Sequence, residues 1–381
     1  MTKMIDCPGL LDYYLMPMVN LNHHSGSAYD FFVSLYVLHH PDEFGLRPSW
    51  AAGVRSRLPA DQREVLDRAR FLRVPLTWLD SLPLDHRNAQ EMLMALAGLP
   101  ASARLQALHL PFDPSPGLNE VLTGIAARGS WDAADLDAVR AAYARRHLML
   151  GSEDLQALCA AWAQPAIFGD HYLRALNTYY QVFFKEEEER ILPLLERGME
   201  QARLLAGRLP VAETVEILSR GVQLPQLDEL VELELVPSYW ASPLIFFGRT
   251  GPGRAVFLYG VRSGPAGLVP GDAVPDGLVQ ILKALADPTR LRILRYLAQQ
   301  PLTPGQLARR LRLRAPTVVH HLRELRLAGL VQVALQAEGE KRYALRRNAV
   351  DELHPLLDQF LSGSQDAADE DLAGQPGGEI E

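Results

Sequence analysis

Residues 263–277, SGPAGLVPGDAVPDG, are dominated by glycine and proline, and no regular element runs easily through such a stretch. Proline lacks the amide donor and glycine loses the most conformational freedom on ordering. The chain must therefore build separate cores on the two sides of this run. Its 381 residues, 48% of them hydrophobic, suffice for more than one. We read a domain over 1–262, a linker over 263–277, a second domain over 278–361 and a terminal segment over 362–381. That segment, SGSQDAADEDLAGQPGGEIE, has too little apolar surface to offset its ordering entropy, and disorder is expected there.

Charge follows the same division. The net charge is −8, yet residues 278–350 hold 14 Lys/Arg against 4 Asp/Glu, a local +10. Residues 1–277 carry −9, and residues 351–381 carry another −9 with no Lys or Arg at all. A basic module inside an acidic chain is the footprint of a domain that binds phosphate. Only Cys7 and Cys159 are present, which excludes a disulfide framework. No run approaches the roughly 18 apolar residues of a membrane span, and MTKMIDCPGLLDYY lacks the layout of a signal peptide. A soluble protein of a reducing cytoplasm, with no membrane partner, is expected.

Upstream of the linker, helical periodicity dominates. Tyr29, Phe32, Val33, Tyr36 and Val37 share one face of a helix that starts near Ser27 and stops before Pro41. A long charged helix is expected at about 171–206, with Glu186 and Arg190 paired at i, i+4 and a bend or break at Pro193. From Leu230 the pattern turns to strands: VELELV alternates apolar and acidic residues, and PLIFF and AVFLYGV flank the turn-rich GRTGPGR. The fold class read from this is mainly α (α+β), a helical N-terminal domain with a small antiparallel sheet.

The segment after the linker resolves element by element into a winged helix-turn-helix. LVQILKALADPTRLRILRYL supports two short helices, with Asp287 capping the second and Pro288 at its first position. Thr303-Pro304-Gly305-Gln306 matches a capping box and opens a third helix ending near Leu311. A fourth helix over about 315–328 places Val318, Leu322 and Leu325 on its inner face, and Gly329 ends it. Pro316, Val319, His320 and Arg323 then turn outward, toward the major groove of a DNA duplex. LVQVALQ and KRYAL around AEGE form the wing, with Lys341 and Arg342 beside its tip. We assign to a DNA interface Thr303, Gln306, Arg314, Ala315, Pro316, Thr317, Val319, His320, Arg323, Lys341 and Arg342, the helix N-terminus facing base edges and the hydroxyls, amides and cations holding phosphate.

The motifs LKALADPTRLRILRYL, LTPGQLARRL and APTVVHHLRELRLAGLV, with the wing tyrosine Tyr343, resemble the ArsR/SmtB-type winged-helix regulators over about 278–350. The resemblance implies a homodimer built by the outer helices, here 278–285 and about 350–360. Leu278, Ile281, Leu282, Leu353, Leu356, Leu357 and Phe360 would form its interface. It also implies a repressor released from DNA by an effector. Two positions depart from the family pattern: Arg314 and Val319 stand where a capping serine and another serine one turn later are common. The cysteine motif of metal-responsive members is absent from QLARRL. Asp351, His354 and Asp358 lie on the last helix at i, i+3 and i+7, where a solvated face is the better reading, so no metal is assigned.

The N-terminal domain is expected to modulate this reader as a sensor of a small-molecule effector. Tyr13, Tyr14, Phe31, Phe32, Trp50, Trp78, Trp162, Tyr179, Tyr180, Tyr239 and Trp240 could line a pocket, although ordinary core explains each of them better. His23/His24 and His39/His40 are candidate ligands or bases, with the helix dipole a sufficient account of the second pair. No HExxH, GxSxG, P-loop or dinucleotide-binding glycine motif occurs, so neither an enzyme nor a cofactor is expected. The alternatives are a protein-interaction or dimerisation scaffold without ligand, and an N-terminal enzyme fused to the DNA-binding module.

Overall fold

The structure, a computed structural model, describes residues 19–46, 48–83, 87–110, 112, 117–145, 150–224, 227–242, 244–261, 276–335, 341–346 and 353–361. The sequence readings on Cys7, Tyr13, Tyr14, most of the linker, the wing tip, Asp351 and the acidic terminal segment fall outside those residues. Two compact units part inside the Gly/Pro run: Met1–Arg262 with Ala334–Lys341, and Ser263–Val333 with Arg342–Glu381.

The first unit begins with strand β1 (Asn20–His23) and helix α1 (Ser27–His39). There follow α2 (Pro48–Ser56), α3 (Ala60–Arg68), α4 (Leu76–Ser81), α5 (Ala89–Gly98), α6 (Ala101–His109), α7 (Gly117–Arg128), α8 (Ala133–Arg145), α9 (Ser152–Ala163), α10 (Pro165–Tyr179), α11 (Lys185–Ala206) and α12 (Val211–Leu218). Strands β2 (Glu232–Ser238), β3 (Phe246–Gly251) and β4 (Arg254–Gly260) close it.

The sheet is mixed, which corrects the antiparallel expectation. Its order is β1-β2-β4-β3, with β1 parallel to β2, β2 parallel to β4, and only β3 antiparallel to β4. The hairpin read at GRTGPGR is therefore one edge of it. The central strands are covered on both faces: Val236, Val256 and Leu258 pack with α1, while Leu233, Leu235, Ala255 and Phe257 pack with Ala202 of α11 and Val215 of α12. A parallel arrangement requires such double cover.

Apolar spacing made α1 amphipathic on paper, yet nearly all of it is buried. The Phe31 ring meets Phe32, Tyr179 and Phe184 edge-on at 5.4, 5.5 and 5.2 Å. The aromatic residues considered as pocket lining are thus core where they are described: Phe31, Phe32, Tyr179, Tyr180, Tyr239 and Trp240 are buried in one cluster, Trp50 and Trp78 pack against it, and Trp162 belongs to a second cluster under α7–α9. A groove of about 420 Å³ is lined instead by charged groups of α3 and α9 and the turn between α3 and α4, among them Arg63, Asp67, Arg70, Glu153 and Asp154.

Pro193 does not divide its helix; α11 runs through it, and a π-helical turn lies upstream at Tyr180–Phe184. Arg190 pairs with Glu187 rather than Glu186 and lies over the Tyr239 ring at 4.5 Å. The buried Glu188 carboxylate accepts from the Ser27 and Tyr180 hydroxyls and the Ala89 amide, tying α1, α5 and the π turn together. This explains why a carboxylate is tolerated there: each buried lone pair finds a donor.

The dipole account of His39 does not hold. Its side chain is 7% exposed and its Nδ1 accepts from Arg55 at 3.2 Å. Burial and the neighbouring Arg55 cation push its pKa down to about 3, and burial with Arg87 brings His24 to about 4. Both are neutral in the fold near neutral pH and cannot answer a helix dipole with charge. Because the unfolded chain protonates them near the ordinary 6.5, stability of this unit falls as pH drops from that value toward 3, by up to about 1.4 kcal/mol per pH unit for each histidine. Urea unfolding of His39→Gln, which keeps an acceptor for Arg55, is expected to show a shallower acid slope than the parent between pH 6 and 4. Parallel slopes would reject this assignment.

On the sheet face of Val236 and Val256, α4, β2 and β4 share a largely buried ionic group. Arg87, 4% exposed, donates to Glu234 at 3.0 Å and to the Leu82 and Asp80 carbonyls. Arg254 binds Asp80 through Nε at 2.6 Å and Nη2 at 2.9 Å, and Glu232 at 2.6 Å. Burial drives the Asp80 pKa upward, but the bonds from Arg254 and Thr250 outweigh it and hold it below the usual value. For Glu234 burial prevails and the pKa is raised.

Candidate nucleic-acid interface

The second unit carries α13 (Asp276–Leu285), α14 (Pro288–Leu297), α15 (Pro304–Leu311), α16 (Ala315–Leu327), β5 (Val331–Leu335), β6 (Lys341–Leu345) and α17 (Leu353–Leu361). Local chemistry sets each boundary. The Asp287 carboxylate accepts from the Arg290 amide at 2.9 Å, with Pro288 at the first helical position. Thr303 and Gln306 form the reciprocal capping box, at 3.2 Å from the Gln306 amide and 2.9 Å from the Thr303 amide. Such a cap contributes about 1 kcal/mol. Gly329, at φ +69°, lets the chain leave α16 so that the Leu330 amide bonds the Leu325 carbonyl at 2.9 Å.

Ile293, Leu297, Leu307, Leu311, Val318, Leu322, Leu325 and Leu330 seal a single core. β5 and β6 are neighbours in the wing, and Leu302 bridges to Tyr343 with amide–carbonyl bonds of 2.9 Å in both directions. The segment entering α15 is thereby fixed to the wing strand.

With Val318, Leu322 and Leu325 turned inward, the other face of α16 is open. Arg314, Ala315, Pro316, Thr317, Val319 and His320 are exposed, Val319 to 49%, and Arg323 is partly exposed beside Glu324. Arg314 occupies the N-cap position in extended conformation and no side chain caps the helix. Lys341 is exposed at the start of β6 and Arg342 half-buried after it. Thr303 is 8% exposed and its oxygen accepts within the cap, as the Gln306 carbonyl does, so both position α15.

Sequence reasoning missed three cations that the fold gathers here. Arg309 and Arg310 end α15 and Arg312 forms the turn, all exposed like Arg314. None of the four makes an ion pair among the described residues; Arg310 lies 5.7 Å over the Tyr296 ring. Arg312 holds a left-handed φ of +58°, a conformation that costs a residue with a Cβ about 1 kcal/mol and that glycine adopts freely. The run ARRLRLR at 308–314 was the available signal.

The residues named for a dimer contact divide. Leu282 and Phe360 are 43% and 38% exposed, and Ile281, Leu353 and Leu357 are half-buried where α13 and α17 pack together. Leu278, by contrast, is 1% exposed within one chain and has no surface to offer a partner, which removes it from the set. The Leu356 side chain lies outside the described residues. On α17, His354 and Asp358 form an exposed pair at 3.0 Å.

An exposed, cation-rimmed second helix over a closed three-helix core with an attached wing defines a helix-turn-helix of the bacterial regulatory type. The family model "Bacterial regulatory protein, arsR family" matches residues 287–333. The "HTH-type transcriptional regulator CmtR" of Mycobacterium tuberculosis and of Mycobacterium bovis is 48% identical over 70 residues, 18% of this chain and 58% of that protein. An uncharacterized HTH-type transcriptional regulator of Methanocaldococcus jannaschii is 41% identical over 64 residues, 17% of this chain and 67% of its own length. A crystal structure of an ArsR family transcriptional regulator aligns with 27% of this chain and 98% of its own at 23% identity and a TM-score of 0.21. The C-terminal unit thus carries an ArsR-family helix-turn-helix domain over residues 287–333. The chain spans 58% of the length of the CmtR regulators it matches.

Proposed function

We propose that the chain is a sequence-specific, double-stranded-DNA-binding transcriptional regulator. It acts as a homodimeric repressor that is modulated through the N-terminal unit by a small-molecule effector, with no catalysis of its own and in the cytoplasm. The observation that carries the reading is the open face of α16, Pro316 to His320, preceded by four exposed arginines without ion pairs among the described residues. The N-terminal turn of α16 enters a major groove and the arginines hold phosphate on either side. Apolar Pro316 and Val319 suit thymine methyl groups, and His320 offers a hydrogen bond to a base or a phosphate. Two chains joined through Leu282, Phe360 and their half-buried neighbours place two such helices about 10 base pairs apart on an inverted repeat. An effector acts only through different affinities for the free and the DNA-bound conformations, and the coupling is reciprocal.

Selection of bound sequences from a random duplex pool with the full-length protein tests this. The expected product is a dyad with half-sites about 10 base pairs apart, bound with an affinity that falls steeply with salt. Recovery of no common sequence, or binding indifferent to salt, would reject it. A thermal-shift screen of metabolites is expected to return a compound that also releases DNA; release by a partner protein alone would replace the effector with an interaction role.

A further inference from the structure

Among the described residues, Arg309, Arg310, Arg312 and Arg314 on the basic face of α15 and α16 make no ion pair. Residues 278–350 contain only Asp287, Glu324, Glu338 and Glu340 as acids; Asp287 caps α14 and Glu324 sits beside Arg323. The missing negative charge follows directly in the sequence: residues 362–381 carry Asp366, Asp369, Glu370, Asp371, Glu379 and Glu381 and no Lys or Arg. We propose that this acidic segment docks on the face formed by Arg309, Arg310, Arg312 and Arg314 and competes there with DNA phosphate. The inference rests on the reading of that face as a phosphate-binding surface.

Geometry permits the contact within one chain. The segment leaves from the end of α17, which packs on α13, and α13 packs on α16. Two helix-packing steps of 8–10 Å put its origin on the order of 20 Å from the recognition helix. A twenty-residue chain spans roughly 25 Å on average and at most about 66 Å. Tethering at that length holds the carboxylates at about millimolar effective concentration beside the arginines. Each exposed carboxylate–guanidinium contact is weak in water, so the segment attenuates DNA binding without abolishing it. Salt above roughly 0.3 M screens the contact away.

The test compares the full-length protein with a full-length variant in which Asp366, Asp369 and Asp371 become Asn and Glu370, Glu379 and Glu381 become Gln. Binding of a labelled mixed-sequence duplex at low salt is expected to tighten five- to tenfold in the variant, with the gap closing at high salt. Without DNA, an arginine-specific dicarbonyl reagent read by mass spectrometry is expected to label Arg309, Arg310, Arg312 and Arg314 several-fold faster in the variant, while exposed Arg292 and Arg295 of α14 label equally in both. Equal labelling overturns the docking, and tighter DNA binding with equal labelling assigns the effect to general repulsion instead. If neither protein binds duplex, the phosphate-surface reading fails, and the labelling arm still decides whether the segment docks.

Discussion

Replacing Arg309, Arg310, Arg312 and Arg314 together by glutamine is expected to weaken binding to duplex DNA by roughly a thousandfold at about 0.1 M salt and to flatten the salt dependence by three to four units of slope. The reasoning is electrostatic. Each cation that neutralises one phosphate releases condensed counterions, and each contributes about 0.9 to the slope of log affinity against log salt. All four side chains are exposed and without ion pairs, so their loss removes nothing from the core of Leu307, Leu311, Val318 and Leu322. Titration of the duplex at several salt concentrations, with unfolding followed in parallel, gives both quantities. A slope unchanged from the parent would show that the face does not meet phosphate. Arg312 supplies a sharper version: Arg312→Gly relieves the left-handed φ of +58° and is expected to stabilise the unit by about 1 kcal/mol while weakening DNA binding. Val319→Ala, by contrast, is expected to alter sequence preference at constant slope, since an apolar contact to a base edge releases no ions.

Loss of Arg87 is the second large effect. Arg87→Met leaves Glu234, 4% exposed, without its 3.0 Å partner and frees the Leu82 and Asp80 carbonyls. Removing one member of a buried pair costs about 3–5 kcal/mol when the remaining charge is left unpaired, and the lower end is expected here because Arg254 stays 3.5 Å from the Glu234 carboxylate. Replacing both members by apolar residues, Arg87→Met with Glu234→Leu, is expected to recover part of that stability, as the under-compensated carboxylate then disappears. Urea denaturation of the two variants separates the cases. A double variant as unstable as the single one would mean that the ionic group is not what holds β2 to the segment before α5.

The two units differ in how much of them could be read from residues alone. In the C-terminal unit every boundary is set by neighbours within a few positions: Asp287 with Arg290, Thr303 with Gln306, and Gly329 at the end of α16. Such signals survive in a linear reading. The outward face of α16 followed from them, because Val318, Leu322 and Leu325 determine by periodicity what is left exposed. Arg309, Arg310 and Arg312 were in view as a run but not as a site, since clustering around the turn depends on where α15 stops.

The N-terminal unit hid its sheet for a different reason. VELELV alternates apolar and acidic residues, the pattern of a strand with one solvated face, yet Glu234 is buried because Arg87 and Arg254 reach it from positions distant in sequence. An alternating pattern thus concealed a strand covered on both sides. β1 is four residues long and polar, and nothing local in Asn20–His23 announces that it pairs with β2. His39 likewise sits at a helix end, where charge is the ordinary expectation, and only its burial and the Arg55 cation beside it make it neutral.

The pairing of Asn20 with Glu232 also sets the timing of synthesis. A ribosome adding about 5–20 residues per second needs on the order of 10–40 s between the two strands. Throughout that interval α1 has emerged while the sheet that covers one of its sides does not yet exist, so Phe31, Val33 and Val37 face either helices made in the meantime or a chaperone. The DNA-binding unit, whose boundaries are set within a few residues, comes last and needs no such wait. A nascent chain stalled before β2 therefore leaves α1 without the sheet that covers it.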